Sequence, residues 1–481
     1  MIGTGKLLVR VMRALGRNAT TLPGKLAFRA ASGLPEFLTA GQNVTLITGT
    51  NGKTTTARMV CAIHEQAGYR VVSNVSGANL ISGILTTLIE KLSLRDLQDA
   101  RRRARTGQTD RQSLSPAHRQ DSMLRIVLET DEGAFGRYAG RLHPTVIAVT
   151  NLFRDQLDRY GELSATRALV SKGIVGAPDA AAVLCADDSL VASMFRDGRK
   201  HLIYFGVSGE GLPTAGPQGA AVTEAGNCIF CGAPYSYRFR SYGHLGDFRC
   251  PSCGFARPAP DLECRYEHLG NNLYRMDLHY RSPEESSLPP EHLEIALPIP
   301  GEHNIYNAMT AAGVAWANHV PADAIRTGIG SSRAGFGRME KFEVGGRDVC
   351  IVLVKNPVGL DRALSFLENA SDTGGVQFLL NDNIADGTDV SWIWDVDFES
   401  RRIPPPCFVS GTRCYDMALR LKYSGIPESA IHVEPDCALG FDAALRQCPK
   451  GRCLYVFPNY TSLLTLRAYL EKKYRLRSIW A

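Results

Sequence analysis

Residues 45–60, TLITGTNGKTTTARMV, decide how this chain is read. The run Thr45–Thr48 has the β-branched and aliphatic composition of a strand, Gly49–Gly52 reads as a tight turn, and Lys53 opens a helix. The usual phosphate-loop pattern G-x-x-x-x-G-K-[ST] would place a glycine where Ile47 stands, so the spacing here is shorter. The turn Gly49-Thr50-Asn51-Gly52 points backbone N–H groups inward, where phosphate oxygens can be held. Lys53 can neutralise the β- and γ-phosphates, and the Thr54 hydroxyl can ligate Mg²⁺, with Thr55 beside it in the first helical turn. A glycine-rich turn between strand and helix can also be purely structural. The run Lys53-Thr54-Thr55-Thr56 favours the nucleotide reading.

Outward from this loop, the runs VTLIT, RIVLET, TVIAVT, AAVLCA and HLIYFG alternate with helical segments. That alternation predicts an α/β fold with a parallel sheet flanked by helices. A second α/β series, DVCIVLVKN, GVQFLLND, PPCFVSG and CLYVFPN, begins near residue 340 and predicts a separate C-terminal domain. The expected division is a lead-in over 1–41, an ATPase domain over 42–338 carrying a Cys-bearing insert at 222–257, and a C-terminal α/β domain over 339–481. With 481 residues, 44% of them hydrophobic, the chain can bury two or three cores. The Arg-rich stretch 95–121 reads as a surface helix fraying into a loop.

No stretch approaches the ~20 uninterrupted apolar residues of a spanning helix. Arg10 and Arg13 break the N-terminal apolar run, which argues against a signal peptide. Leu7, Leu8, Val11 and Leu15 can form one helical face, either packed or basic and interfacial at an anionic lipid surface. The net charge of +6 does not imply nucleic acid. Thirteen cysteines, mostly scattered, suit a reduced cytosolic compartment, and Cys61, Cys185 and Cys350 lie in apolar runs as small core residues.

Four cysteines differ. Cys228-x-x-Cys231 and Cys250-x-x-Cys253 have the spacing of two knuckles that present thiolates tetrahedrally to Zn²⁺. A disulfide pair is the alternative. A site closed by four thiolates leaves no open position for catalysis, so the expected role is to stabilise an insert too small for its own core. The basic, aromatic YSYRFRSYGH between the knuckles leaves nucleic-acid binding as a lesser reading.

The short phosphate loop resembles that of the Mur ligase family and its folylpolyglutamate synthase relatives. Further segments carry the resemblance in order over roughly residues 42–345. VLETDEG places Glu129 where the family's Mg²⁺-binding glutamate sits. VTNLFRDQLDRYGE resembles the family's N-x-x-x-D-H-L-D segment, with Gln156 in place of the histidine. Lys172 lies near the family's carbamylated lysine, whose modified form holds a second Mg²⁺; an ordinary exposed lysine is the alternative. PGEHNIYNAMTAAGVA matches the helix start at which His303, Asn304 and Asn307 would face the nucleotide, and GFGRME places Arg338 where the family's arginine reaches the phosphates. The resemblance implies ATP, Mg²⁺ and activation of a substrate carboxylate as an acyl phosphate, followed by attack of an amine.

Only about 41 residues precede the loop, so no separate uridine-nucleotide domain is expected ahead of it. LLNDNIADGTDVSWIWDVDFE, the four-cysteine insert, TTLPGKLAFR, SGANLISGI and VKNPVGLDRAL together resemble the MurT family, synthetase subunits of lipid II isoglutaminyl synthase. That resemblance implies amidation of the α-carboxylate of D-glutamate in the lipid II stem peptide. It also implies a GatD-type glutaminase partner that delivers ammonia, and a cytoplasmic location with lipid II met at the membrane face. No G-x-C-x-G nucleophile elbow surrounds any cysteine, which agrees with a separate glutaminase. The MurT family supplies in trans an aspartate that orients the partner's catalytic histidine. Among Asp382, Asp386, Asp389, Asp395 and Asp397, the choice falls on Asp389, with Asp386 next, because both lie in the polar loop before the SWIW run is expected to bury the chain. A solvated acidic loop is the alternative. Two other functions stay open at this point: a stand-alone amino-acid ligase of the folylpolyglutamate synthase type, and a zinc-ribbon nucleotide switch that binds RNA.

Overall fold

The computed structural model describes residues 21–74, 78–106, 123–153, 163–195, 201–210, 225–270, 273–281, 292–299, 301–333, 338–368 and 370–475. The basic N-terminal face, Gln156, and residues 107–121 of the Arg-rich stretch lie outside these; the first part of that stretch belongs to the helix Leu94–Thr106. The described residues form two compact units, one built from those up to Leu152 and from Leu163 to Arg333, the other chiefly from Arg338 to Arg475.

The first unit is a nine-stranded sheet. Its strands are β1 (Asn43–Thr48), β2 (Arg70–Ser73), β3 (Leu124–Glu129), β4 (Val146–Val149), β5 (Ala181–Cys185), β6 (Leu202–Val207), β9 (Leu262–His268), β10 (Tyr274–Tyr280) and β11 (His292–Leu297). The spatial order is β11-β10-β9-β6-β5-β4-β1-β3-β2. β1 to β6 pair in parallel, and every residue of β3 and β4 is buried. Strands covered on both faces carry apolar side chains on both, which is why Ile126-Val127-Leu128 and VIAV show no alternation, while the charged Arg125 and Glu129 of β3 are buried as well. β9 joins β6 in parallel, but β10 and β11 run antiparallel, so the sheet is mixed where a parallel one was expected. β11 alternates exposed and buried residues along HLEIAL, the pattern of a strand with one solvated face.

β1 lies between β3 and β4, so the chain order reverses across it. The loop after β1 therefore opens at the switch point of the sheet, the crevice where open α/β sheets bind ligands. The helices Lys53–Gln66 and His303–Ala317 pack beside it; the second is buried from Asn304 to Trp316. The insert contributes a small ribbon, β7 (Ser236–Arg240) and β8 (Gly246–Arg249).

The second unit is a six-stranded sheet of β12 (Arg338–Val344), β13 (Arg347–Val352), β14 (Thr373–Leu379), β15 (Cys407–Ser410), β16 (Ile431–Val433) and β17 (Cys453–Pro458), in the order β12-β13-β17-β14-β15-β16. All its pairings are parallel except β12 with β13. Cys185 and Cys350 are fully buried, as their apolar surroundings predict, while Cys61 is half-buried.

Candidate functional site

Glycine is required at two points of the phosphate loop. Gly49 has φ +122°, and a Cβ there would stand 2.4 Å from Thr150 Oγ1. Gly52 has φ +86°, and a Cβ there would stand 1.9 Å from Asn307 Oδ1. Asn307 thus lies directly over the loop, and its Nδ2 donates to Asn304 Oδ1 at 2.9 Å. His303 opens the same helix, with its ring against Gly301.

Thr50 N donates to Asn151 O, and Asn51 N donates to Asn151 Oδ1, both at 2.9 Å. Asn151 Nδ2 and Thr150 Oγ1 donate back to Asn51 O at 3.1 and 2.7 Å. These bonds hold the turn from the residues after β4 at the N-terminus of the helix Lys53–Gln66, where orphan N–H groups and the helix dipole favour an anion in the crevice. Lys53 is buried; its Nζ donates to Gly49 O and pairs with Glu132 Oε1 at 2.9 Å. Thr54 Oγ1 donates to Glu129 Oε2 at 2.8 Å. Glu129 is buried at the end of β3, and its backbone is held on both sides by Asn74, which accepts from Glu129 N and donates to Glu129 O.

The structure thus groups Gly49, Thr50, Asn51, Gly52, Lys53, Thr54, Glu129, Asn304 and Asn307 in one crevice, with Thr55 buried in the first turn of the helix and Thr56 Oγ1 3.5 Å from Asn307 Oδ1. A hydroxyl and a carboxylate 2.8 Å apart at the mouth of a phosphate loop are an oxygen donor pair that suits Mg²⁺. Lys172 is exposed in the last turn of the helix Leu163–Val175, and no hydrogen bond or ion pair among the described residues joins it to the loop. Arg338 is the first residue of β12; its side chain lies outside the described residues. Three contributors were not singled out from the sequence: Asn74, Glu132 and Asn151. The last two stand inside the quoted segments VLETDEG and VTNLFRDQLDRYGE, and their polar side chains next to β-strand ends were the available signal.

The four insert cysteines converge. Their sulfurs all lie within 4.8 Å of one another, with Cys228 to Cys253 at 3.5 Å and Cys231 to Cys250 at 3.4 Å. Disulfide sulfurs would be ~2.05 Å apart. A tetrahedron with Zn–S bonds of about 2.3 Å places its sulfurs about 3.8 Å apart, so the set fits Zn²⁺. Gly232 and Gly254, at φ +75° and +77°, turn the two knuckles, each donating its N–H to the carbonyl of the first cysteine. Burial resists ionisation of Cys228, but the N–H groups of Phe230 and Cys231 prevail and bring its pKa to about 6.

This insert is tied to the crevice through two adjacent aspartates after β5. Arg257 Nε donates to Asp187 Oδ1 at 2.6 Å, and Tyr306 OH donates to Asp187 Oδ2 at 2.7 Å. His244 Nε2 lies 3.2 Å from Asp188 Oδ1, while Asp188 Oδ2 accepts from Leu152 N at 2.7 Å. Tyr306 precedes Asn307, and Leu152 follows Asn151, so the ribbon's two anchors end one residue from the loop's two supports. Burial pushes the Asp187 carboxyl above the usual range, against the pull of Arg257.

In the second unit the acidic stretch sorts itself by environment. Asp386 is buried and accepts from Thr461 N at 2.8 Å and from Thr461 Oγ1; burial holds its carboxyl above the usual range. Asp382 is held by Thr412 and Arg413, which lower its pKa, and Asp397 accepts from Ser400 N at 3.1 Å. Asp389 is exposed and accepts from Ser391 N at 2.8 Å, on the rim of a cavity of about 240 Å³ that Trp394, Arg413 and Asp416 also line. The SWIW run does not bury the chain as expected. It forms a single 3₁₀ turn, Ser391–Asp395, in which Ile393 is buried and Trp394 is 47% exposed. Arg420 anchors that turn from below by donating to Ile393 O and Val396 O at 3.1 and 2.7 Å.

A short phosphate loop at the switch strand, closed by a helix that begins His-Asn-x-x-Asn, defines the class: a Mur ligase-type α/β protein. Residues 47–218 match the Mur ligase middle domain, and residues 353–463 match the MurT ligase C-terminal domain. Among solved structures, a pseudomurein peptide ligase type C from Methanothermus fervidus shares the fold, with a TM-score of 0.59 at 21% identity over 90% of this chain and 79% of that one. The chain is 31% identical over 477 residues to the lipid II isoglutaminyl synthase (glutamine-hydrolyzing) subunit MurT of Streptococcus pneumoniae, covering 97% of this chain and 95% of the relative. The corresponding Staphylococcus aureus subunit is 28% identical over 98% of both chains. The chain belongs to the MurT family.

Proposed function

We propose that this chain is the synthetase subunit of a lipid II isoglutaminyl synthase, amidating the α-carboxylate of D-glutamate in the stem peptide to D-isoglutamine. The observation that carries the reading is the hydrogen bond from Thr54 Oγ1 to Glu129 Oε2 beside Lys53, in a chain related to MurT subunits over nearly its whole length. Thr54 and Glu129 would hold Mg²⁺, and Lys53 with the first-turn amides would hold the β- and γ-phosphates of ATP. Asn304 and Asn307 would close over the nucleotide, and His303 and Arg338 are the further nucleotide-binding residues that the family resemblance implies. The substrate carboxylate takes the γ-phosphoryl group to give an acyl phosphate. Ammonia then attacks the carbonyl carbon and inorganic phosphate leaves. The chain's contribution is positioning and charge stabilisation, with no covalent nucleophile required.

Ammonia would come from a glutaminase partner of the GatD type. Asp389 suits the role of orienting that partner's histidine, because it is exposed on a cavity rim and a capped turn fixes its loop. Asp386 suits it less, since Thr461 holds it inside the fold. Zn²⁺ would serve the ribbon, and no nucleic acid enters the reaction. The chain would work in the cytoplasm at the inner membrane face, where lipid II is reached; among the described residues no helix is long and apolar enough to cross a membrane.

Mass spectrometry of lipid II incubated with the chain, ATP and ammonium tests the proposal. Exchange of OH for NH₂ lowers the mass by about one unit per stem peptide. An unchanged mass together with ATP-dependent addition of a free amino acid would instead favour the stand-alone ligase.

A further inference from the structure

On the solvated face of the mixed sheet, on the two strands at the edge opposite the phosphate-loop strand's parallel neighbours β3 and β2, three metal-ligating side chains converge. Asp277 and His279 stand two residues apart on β10 and so share a face, and His292 on β11 is the direct cross-strand partner of His279. Their ligating atoms all lie within 4.8 Å of one another. His279 Nε2 is 3.2 Å from Asp277 Oδ2, His292 Nε2 meets Asp277 Oδ1, and the two imidazole rings are edge to face with centroids 5.1 Å apart.

We propose that Asp277, His279 and His292 form a surface site for a divalent transition-metal ion such as Zn²⁺, Co²⁺ or Ni²⁺. Two imidazoles and one carboxylate are the donor set of that class of ion, whereas Mg²⁺ and Ca²⁺ take oxygen ligands. With metal–nitrogen bonds of about 2.0–2.1 Å, tetrahedral ligands stand about 3.4 Å apart, a spacing that the half-buried Asp277 and His279 and the exposed His292 reach by small rotations. The neighbouring charges leave Asp277 to this role. Arg265, opposite Asp277 on β9, pairs with Glu210 at 3.0 Å, and Glu263, opposite His279, faces Arg281 at 3.7 Å. Three protein ligands on an open face leave at least one coordination position for water or for an external donor.

The test is metal stoichiometry on the full chain, with the four-cysteine site as internal control. Equilibrium dialysis against Co²⁺ should load two ions per chain. One should show the thiolate-to-cobalt charge-transfer band of the cysteine cluster, and the other only the ligand-field bands of nitrogen and oxygen donors. His279→Ala and His292→Ala should each lose the second ion and keep the first, and the near-isosteric Asp277→Asn should bind the second ion at least about tenfold more weakly. Retention of the thiolate band shows that a variant is folded. A wild-type chain that binds a single ion, or a second ion that survives either histidine substitution, overturns the site.

Discussion

Arg257→Leu probes how the ribbon is fastened to the nucleotide crevice. Asp187 is fully buried, and in the native chain it takes bonds from Arg257 Nε at 2.6 Å, Tyr306 OH at 2.7 Å and Val207 N at 3.0 Å. Removing the guanidinium leaves a buried carboxylate with two neutral donors and no counter-charge. Breaking a buried pair in this way costs about 3–5 kcal/mol, and the two remaining bonds place the loss near ~3 kcal/mol. The pH dependence has a definite sign. Burial already raises the folded pKa of Asp187 above its unfolded value, so the folded state holds the proton over a window that begins in the ordinary carboxylate range. Within that window stability falls as pH rises, because the folded state binds more protons than the unfolded one. Without Arg257 the window extends upward, so the gap between variant and wild type should be largest near neutrality and shrink on acidification. Urea titration followed by hydrogen exchange of Ala181–Cys185 and Leu202–Val207 reads the loss locally. Adding Asp187→Asn to Arg257→Leu should recover most of it, since no charge is left buried. A loss of ~1 kcal/mol or less, the value of an exposed pair, would refute the reasoning, as would a double variant no more stable than the single one.

Gly52→Ala should leave the fold intact yet weaken nucleotide binding by ~10-fold or more in calorimetry, since the left-handed backbone alone costs about 1–2 kcal/mol and Asn307 must also move. Normal affinity would remove Asn307 from the site. Cys250→Ser should release the ribbon's zinc and lower the thermal midpoint, as elemental analysis and calorimetry would report; a zinc-free wild type purified without chelator would end that reading. Asp389→Asn should cut glutamine-dependent amidation by up to ~10⁴-fold while sparing ammonia-dependent amidation, because an amide cannot stabilise the partner's imidazolium. Equal loss with both nitrogen sources would place Asp389 in the synthetase site instead. Lys172→Ala should lose activity that small carboxylates partly restore, as a carbamate holding a second Mg²⁺ requires; unchanged activity would make it an ordinary exposed lysine.

Much of this molecule was legible in one dimension. Short-range chemistry shows through directly: only glycine tolerates the loop at Gly49 and Gly52, a buried parallel strand favours apolar runs as unbroken as Val146–Val149, and Cys-x-x-Cys spacing is set by the geometry of a knuckle. The same holds for Thr54 and Glu129, because Thr54 lies in the first turn of a helix whose start the sequence marks and Glu129 closes a strand. What the sequence could not rank was environment. Asp386 and Asp389 stand three residues apart in the same polar loop, and only the approach of Thr461 from the far end of the chain buries one and leaves the other on a cavity rim. Asn74, Asn151, Asp187 and Asp188 look like ordinary polar residues after strands, yet each gains its role from partners many residues away. The antiparallel pairing that sets His279 against His292 was likewise invisible, because β10 and β11 alternate in the same way whichever strand they meet. Backbone conformation and metal spacing are decided locally and so are written in the sequence; burial, counter-charge and cross-strand register depend on long-range packing, and only the tertiary structure decides them.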